Sequence, residues 1–237
     1  EHPPPRRSPA RDSRTTPTPS HRLAVVRLLV ATTNPGKFAE IRKLLAGLPI
    51  RIDSLDKYPG IAEAEEPGST FAENARVKAL HYSRLTGQLA VAEDSGLELE
   101  ALDGAPGVYT ADWATLEDGS RDFQVAMQKV EDALQARGAT DPAKRTGRFV
   151  SVLCLAQPDG DVSFYRGEAE GTLVWPPRGT LGFGYDPVFQ PEGHKRTFGE
   201  MPSEEKHGWK PGDAEALSHR ARAFKKFAEE CLGLTRA

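Results

Sequence analysis

Cysteine is scarce. The chain has two in 237 residues, Cys154 and Cys231, far apart and in no metal-ligating spacing. Cys154 lies inside the apolar run Phe149–Ala156 and reads as core, so a reducing, cytoplasmic setting is the expectation. Long hydrophobic runs are also missing. Arg27 interrupts the longest apolar stretch, no segment nears membrane-spanning length, and no membrane partner is expected. No internal repeat is visible.

A basic excess is absent once the N-terminus is set aside. Residues 1–22 hold six of the 19 prolines, five arginines, two acids and no apolar periodicity. They are expected to be a disordered extension. With Glu1 at the start and no amphipathic pattern, that extension reads as untrimmed rather than as a signal. The remainder carries 26 basic against 32 acidic residues, a net charge of −6. A body that acidic does not suit a nucleic-acid binder, which would show a basic face. A small anionic ligand, held by a few placed cations and a metal, is compatible with it.

What is present begins with Ala90-Val91-Ala92-Glu93-Asp94-Ser95-Gly96-Leu97. An apolar run meets two adjacent carboxylates, a hydroxyl and a glycine. The reading is a buried strand that stops on paired acids at its carboxyl end, where open α/β sheets place ligands. Side by side, two carboxylates repel unless a cation sits between them. A solvated Asp-Ser-Gly turn is the alternative on this stretch alone.

Upstream, Val25–Thr33 reads as a strand and Lys37–Leu48 as a helix with Phe38, Ile41, Leu44, Leu45 and Leu48 on one face. At the junction, Thr32-Thr33-Asn34-Pro35-Gly36-Lys37, Asn34 suits an N-cap and Pro35 the first helical position. Free N–H groups and the helix dipole make such a junction able to hold an anion, although many bind nothing. Its spacing is not that of a Walker A loop. After a short strand at Ile50–Leu55 and an acidic loop, Thr70-Phe71-Ala72-Glu73 has the form of a capping box opening a helix to Leu85. Its apolar face carries Phe71, Ala75, Ala79, Tyr82 and Leu85, with Glu73, Asn74 and Lys78 alongside; Glu73 reads as a cap.

Downstream, a helix over Arg121–Arg137 should pack through Phe123, Met127, Val130 and Leu134, and strands at Arg148–Ala156 and Val162–Val174 should form a hairpin. In Gly182-Phe183-Gly184-Tyr185-Asp186-Pro187, glycines allow close backbone approach and Phe183 could stack on a base, unless the segment is simply a turn into a strand at Val188-Phe189. Ser218 suits the N-cap of a last helix, which leaves His219 and Arg220 on its first turn.

Taken in order, Ala31–Lys37, Thr70–Ala75 with Lys78, Ala92–Leu97, Gly104–Tyr109, Gly182–Pro187, Glu204–Lys206 and Ser218–Arg220 resemble the inosine triphosphate pyrophosphatase family. No one of them is specific; seven in the right order, spanning most of the chain, are. Departures are Thr33 where the family usually has Gly, Glu93 for Asp, Asp112 for the arginine of a Ser-Ala-Arg run, and an insertion over Gly208–Leu217.

The resemblance implies an α/β fold, an elongated central mixed sheet whose helices form two lobes around a substrate cleft. Residues 23–237 would then be one such domain. It implies Mg²⁺, a homodimer, and hydrolysis of noncanonical purine nucleoside triphosphates (ITP/dITP, XTP/dXTP) to the monophosphate and pyrophosphate. On that basis Asp94 is expected to activate the water, with Glu93, Asp94 and Glu66 nearest the metal. Thr32, Thr33, Asn34, Pro35, Gly36 and Lys37 would cradle phosphate, with Lys78 and Lys206 adding charge. Ser95 would bond phosphate or ribose, and Phe183 would stack on the base beside Gly184, Tyr185 and Asp186. His219 and Arg220 would offer donors to the six-position carbonyl. A pyrophosphatase for modified pyrimidine triphosphates and a non-catalytic nucleotide-binding regulator are the alternatives.

Overall fold

A computed structural model describes residues 25–209, 215–231 and 233. The expected disordered extension over 1–22 lies outside the described residues, as do 210–214 of the Gly208–Leu217 insertion. Among these residues six strands form one mixed sheet: β1 (Val26–Val30), β2 (Ile50–Ser54), β3 (Ala90–Leu99), β4 (Thr146–Ala156), β5 (Val162–Leu173) and β6 (Phe189–Pro191), in the order β2-β1-β3-β4-β5-β6. β1 runs parallel to β2 and β3, while β3 through β6 are antiparallel neighbours. Among the described residues five α-helices accompany them: α1 (Pro35–Leu44), α2 (Phe71–Thr86), α3 (Phe123–Ala136), α4 (Ser203–His207) and α5 (His219–Cys231).

Strand alternation sorts the core onto two faces. Leu28, Val30, Val91 and Leu153 point to α1 and α5, packing with Ile41, Leu44, Phe224 and Phe227. Leu29, Ala31, Ala90, Ala92, Val152 and Cys154 point the other way, to Phe71, Ala75, Ala79 and Tyr82 of α2. Burial pushes the Cys154 thiol up to about 12, as expected of a core cysteine. Beyond the middle of β3, Leu97 and Leu99 join Met127, Val130 and Leu134 of α3 with Phe189 and Phe198 in a third cluster.

Local signals hold at the helix starts. Asn34 accepts from the Lys37 N–H at 3.0 Å with Pro35 at the first position, and Thr70 accepts from the Glu73 N–H at 3.1 Å. Ser218 accepts from the Ala221 N–H at 3.0 Å. Helix ends drift: α1 stops at Leu44 instead of Leu48, and Leu85 of α2 is exposed rather than core. The main correction concerns β3. It does not stop at the acid pair but runs ten residues to Leu99, paired to β4 from Ala90↔Ala156 to Leu99↔Gly147. Asp94-Ser95-Gly96 is mid-strand, because an 11-residue partner strand continues the ladder past it.

Among the described residues no helix is long and apolar enough to cross a membrane. Gly167 on β5 lets α5 lie directly on the sheet. A Cβ there would sit 2.1 Å from the His219 carbonyl and 2.5 Å from the Ala223 nitrogen. Gly167→Ala should therefore lift α5 and cost about 1–3 kcal/mol in denaturant unfolding, as overpacking does. An unchanged midpoint would show that the helix has slack at this contact.

Candidate active site

The cleft, of about 400 Å³, opens where the carboxyl end of β1, the middle of β3 and the start of α5 meet. Adjacency on a strand sends consecutive side chains to opposite faces. Glu93 and Asp94 therefore part company. Asp94 turns toward α2, where Asn74 Nδ2 donates to it at 3.2 Å and Lys78 Nζ lies 3.8 Å away. Lys78 also reaches Glu66 at 2.8 Å and donates to the Glu93 backbone carbonyl at 2.7 Å. Asn74 and Lys78 are one turn apart on α2, so the helix presents both to the same carboxylate. Glu73 accepts from the Ser69 N–H at 2.8 Å, one residue before the Thr70 cap, so it braces the helix start without closing the reciprocal capping box.

Glu93 turns toward α5 and is fully engaged. Arg220 Nε donates to its two oxygens at 2.9 and 3.1 Å, Ser151 Oγ donates at 2.7 Å, and Lys37 Nζ lies 3.8 Å away. Strand alternation thus sets Glu93 against Arg220 and outside the cleft lining in which Asp94 and Glu66 are found. Burial works to raise its pKa, but Arg220, Lys37 and the Ser151 bond outweigh that and bring it down to about 2. Asp94 moves the other way. Burial raises its pKa, aided by Glu66 and opposed by Lys78, Lys37 and the Asn74 bond.

At the other end of the cleft, Arg220 is not a free donor at a helix start. Nη1 pairs with Glu40 of α1, and Nη2 is 3.5 Å from Ser95 Oγ. Its Cζ lies 5.8 Å from the centroid of Phe183, whose ring is partly exposed and faces the cleft. His219 is buried, stacks on Phe149 with centroids 4.8 Å apart, and leaves Nδ1 without a hydrogen-bond partner. Burial and the neighbouring Arg220 hold its pKa far down, so the ring is neutral.

Lys206 also departs from expectation. It lines the cleft, but its Nζ also donates to Asp186 at 2.7 Å and lies 3.6 Å from Glu40, so its charge is shared with protein carboxylates. Asp186 accepts in addition from the Phe183 N–H at 3.2 Å, so the pair staples the Phe183 loop while both residues remain in the cleft lining. Tyr185 is core: its hydroxyl donates to the Thr110 carbonyl at 2.8 Å and its ring packs edge-on to Phe123.

Thr32, Thr33, Asn34 and Lys37 line the opposite wall, with Ser95 and Gly184 between the ends. Pro35 and Gly36 are outside the lining. Pro35 is spent on the first position of α1, and Gly36 passes beneath Phe183, where a Cβ would meet the ring at 3.5 Å. Burial lowers the pKa of Lys37, against the pull of Glu93. Arg121 and Asp112 also line the cleft.

Residues not anticipated are Glu40, His207, Ser151 and Arg121. Glu40 had a signal, one helical turn after Lys37 and so on the same face. Ser151 had none, because its role follows from cross-strand register with Ser95 and from Arg220 beyond it.

A family model described as the Ham1 family matches residues 28–230. A Rhizobium meliloti (strain 1021) protein named dITP/XTP pyrophosphatase is 62% identical over 212 residues, covering 90% of this chain and 99% of its own. A Brucella melitensis protein of the same name is 59% identical over 211 residues, covering 89% and 96%. A solved HAM1 protein from Coxiella burnetii superposes with a TM-score of 0.76 at 33% identity, covering 88% of this chain and 99% of that one.

The opposite shifts of the two adjacent acids have opposite consequences for stability in the metal-free protein. Asp94 has a folded pKa above its unfolded value, so ionising it as pH rises through that pKa costs stability. Asp94→Asn should raise Tm at neutral pH. Glu93 is lowered from 4.5 to about 2, and its contribution is present above pH 4.5 and fades as pH falls toward 2. Glu93→Gln should lower Tm at neutral pH, with a deficit that shrinks across that window. Thermal scans in chelator between pH 7 and 3 would refute the assignment if both variants moved the same way.

Proposed function

The chain belongs to the Ham1 family, and from that premise we propose that it hydrolyses noncanonical purine nucleoside triphosphates, ITP/dITP and XTP/dXTP, to the monophosphate and pyrophosphate. The observation that carries the substrate class is the near end-to-end match to relatives named dITP/XTP pyrophosphatases. The cleft supports it with a raised carboxylate at one end and an aromatic, neutral-imidazole pocket at the other.

In this mechanism water attacks the α-phosphorus while the bond to the α–β bridging oxygen breaks and pyrophosphate leaves. Asp94, held by Asn74, accepts the water's proton; burial raises its pKa and so makes it a better base than an exposed aspartate. Lys78 and Lys37 offset triphosphate charge, and the backbone of Thr32–Asn34 at the start of α1 receives phosphate oxygens.

The carboxylates of Asp94 and Glu66, 3.8 and 2.8 Å from the same Lys78 ammonium, are hard oxygen donors suited to Mg²⁺. Among the described residues no three acidic, His or Cys side chains converge as a complete metal cage. That fits an ion that shares its coordination with substrate phosphates and water. When bound, Mg²⁺ supplies charge neutralisation along the triphosphate.

The base stacks on Phe183. With its proton on Nδ1, His219 donates to the six-position carbonyl of hypoxanthine or xanthine, whereas adenine's amino group would set two donors face to face. Buried unpaired donors give discrimination of this kind. We further read the chain as a homodimer in a cytoplasmic setting, as the family resemblance implies, and sedimentation tests the first.

Pyrophosphate release should be measured with ITP, XTP, dITP, GTP and ATP, with and without Mg²⁺. Preference for the six-keto noncanonical purines, lost in chelator, is expected; equal turnover of ATP would sink the reading. Asp94→Asn should keep the fold and lose roughly 10²–10⁴-fold in kcat. His219→Phe preserves the stack on Phe149 but removes the polar atom. Its kcat/KM for ITP should fall about tenfold relative to ATP, the size of one hydrogen bond to a polar group. Parallel losses on both bases would move base reading to the Phe183-Gly184 backbone.

A further inference from the structure

His207 belongs to no motif, yet it sits buried at the end of α4 between the two helices that bound the cleft. Its Nδ1 lies 2.7 Å from Ser218 Oγ and its Nε2 3.0 Å from Glu40 Oε1. Ser218 Oγ already accepts from the Ala221 N–H, so its own proton is available for Nδ1. The reverse tautomer would set an Nε2 lone pair against a carboxylate oxygen at 3.0 Å, acceptor against acceptor. Nε2 therefore carries the proton. Its approach to Glu40 is close but not aligned as a full hydrogen bond. Charged neighbours face the ring from each element: Glu40 from α1, Lys206 from α4 and Arg220 from α5. Burial, with Lys206 and Arg220 opposing a positive charge, keeps the ring neutral against the pull of Glu40.

Glu40 is also the carboxylate that holds the Nη1 side of Arg220, while Glu93 holds the Nε side. α1 carries the phosphate wall and α5 the base end, so Glu40 is where the two ends are tied together.

We propose that His207 is a positioning residue for purine selection: as the Nε2–H tautomer fixed by Ser218, it orients Glu40 and through it Arg220, in register with His219 and Phe183. It rests on the proposed reaction but acts on no reacting atom.

Two amide variants separate the two sides of the ring. H207Q can place a donor where Nε2 stood, toward Glu40, while H207N can place only a polar atom where Nδ1 stood, toward Ser218. Steady-state kinetics with ITP and ATP should show KM for ITP rising about tenfold in H207N, the scale of one lost polar contact. The ITP:ATP ratio of kcat/KM should fall with it, and H207Q should recover most of both. In an E40Q background H207N should add little, because the path it acts through is already cut. Equal losses in H207N and H207Q that track a falling Tm would overturn the proposal, as would an unchanged ITP:ATP ratio in H207N. A wild-type protein inactive on ITP would instead refute the reaction itself. Independently of activity, imidazole ¹⁵N shifts of the wild type at neutral pH should report Nε2–H. An Nδ1–H tautomer or a charged ring refutes the assignment.

Discussion

The cleft depends on one buried guanidinium. Arg220 comes from the last helix, Glu40 from the first, and Glu93 from the middle of the central strand. These three elements are far apart in the chain; a shared apolar cluster packs them together, and the ion cluster fixes their register at this point. Taking three charges out of water is costly, and the cost is offset only when every partner is in place with good geometry. Such a cluster is closer to a registration device than to a source of stability. It fixes the pitch of α5 against β3, and so fixes where His219 stacks and where Phe183 lies over the cation. Burial alone would pull the guanidinium toward neutrality; Glu93 and Glu40 override it and raise the Arg220 pKa.

The same wall contains a second, smaller lock. Lys206 and Asp186 neutralise one another, and Asp186 in turn holds the Phe183 N–H. A loop rich in glycine thus presents its aromatic ring in one place, because a buried ion pair holds the chain on either side. The cations at the base end are consequently committed to protein carboxylates. Beside them stand the neutral imidazole of His219 and the ring of Phe183, a suitable lining for a flat, uncharged base. Cations with room to meet phosphate lie at the other end, in Lys37 and Lys78.

Between these ends, Asp94 is the exception that function requires. It has an amide donor and a distant ammonium where Glu93 has a guanidinium, a hydroxyl and a lysine. The structure holds Glu93 ionised by pairing it and leaves Asp94 strained by burial. A carboxylate in that state gains by taking a proton or meeting a cation, which are the two things a metal-assisted hydrolytic site asks of it.

Sequence alone determined what depends on neighbours along the chain. Asn34, Thr70 and Ser218 were legible as caps because a side chain satisfies an N–H two or three residues on, whatever the rest of the fold does. The apolar faces of α1, α2 and α3 were legible from periodicity, and the site motifs from their order. What tertiary structure decided was which way each polar group is spent. The pair Glu93-Asp94 reads as one acidic feature in sequence. Only the continuation of β3 along β4 splits it across the sheet, since a strand that ended there would have left both acids at its mouth. Lys206, Arg220 and Tyr185 carry the right chemistry to touch a ligand but meet protein partners first, from Asp186, Glu40, Glu93 and Thr110. Those partners lie between 20 and 180 residues away. Such pairings follow from strand register and helix docking, which no local spacing encodes.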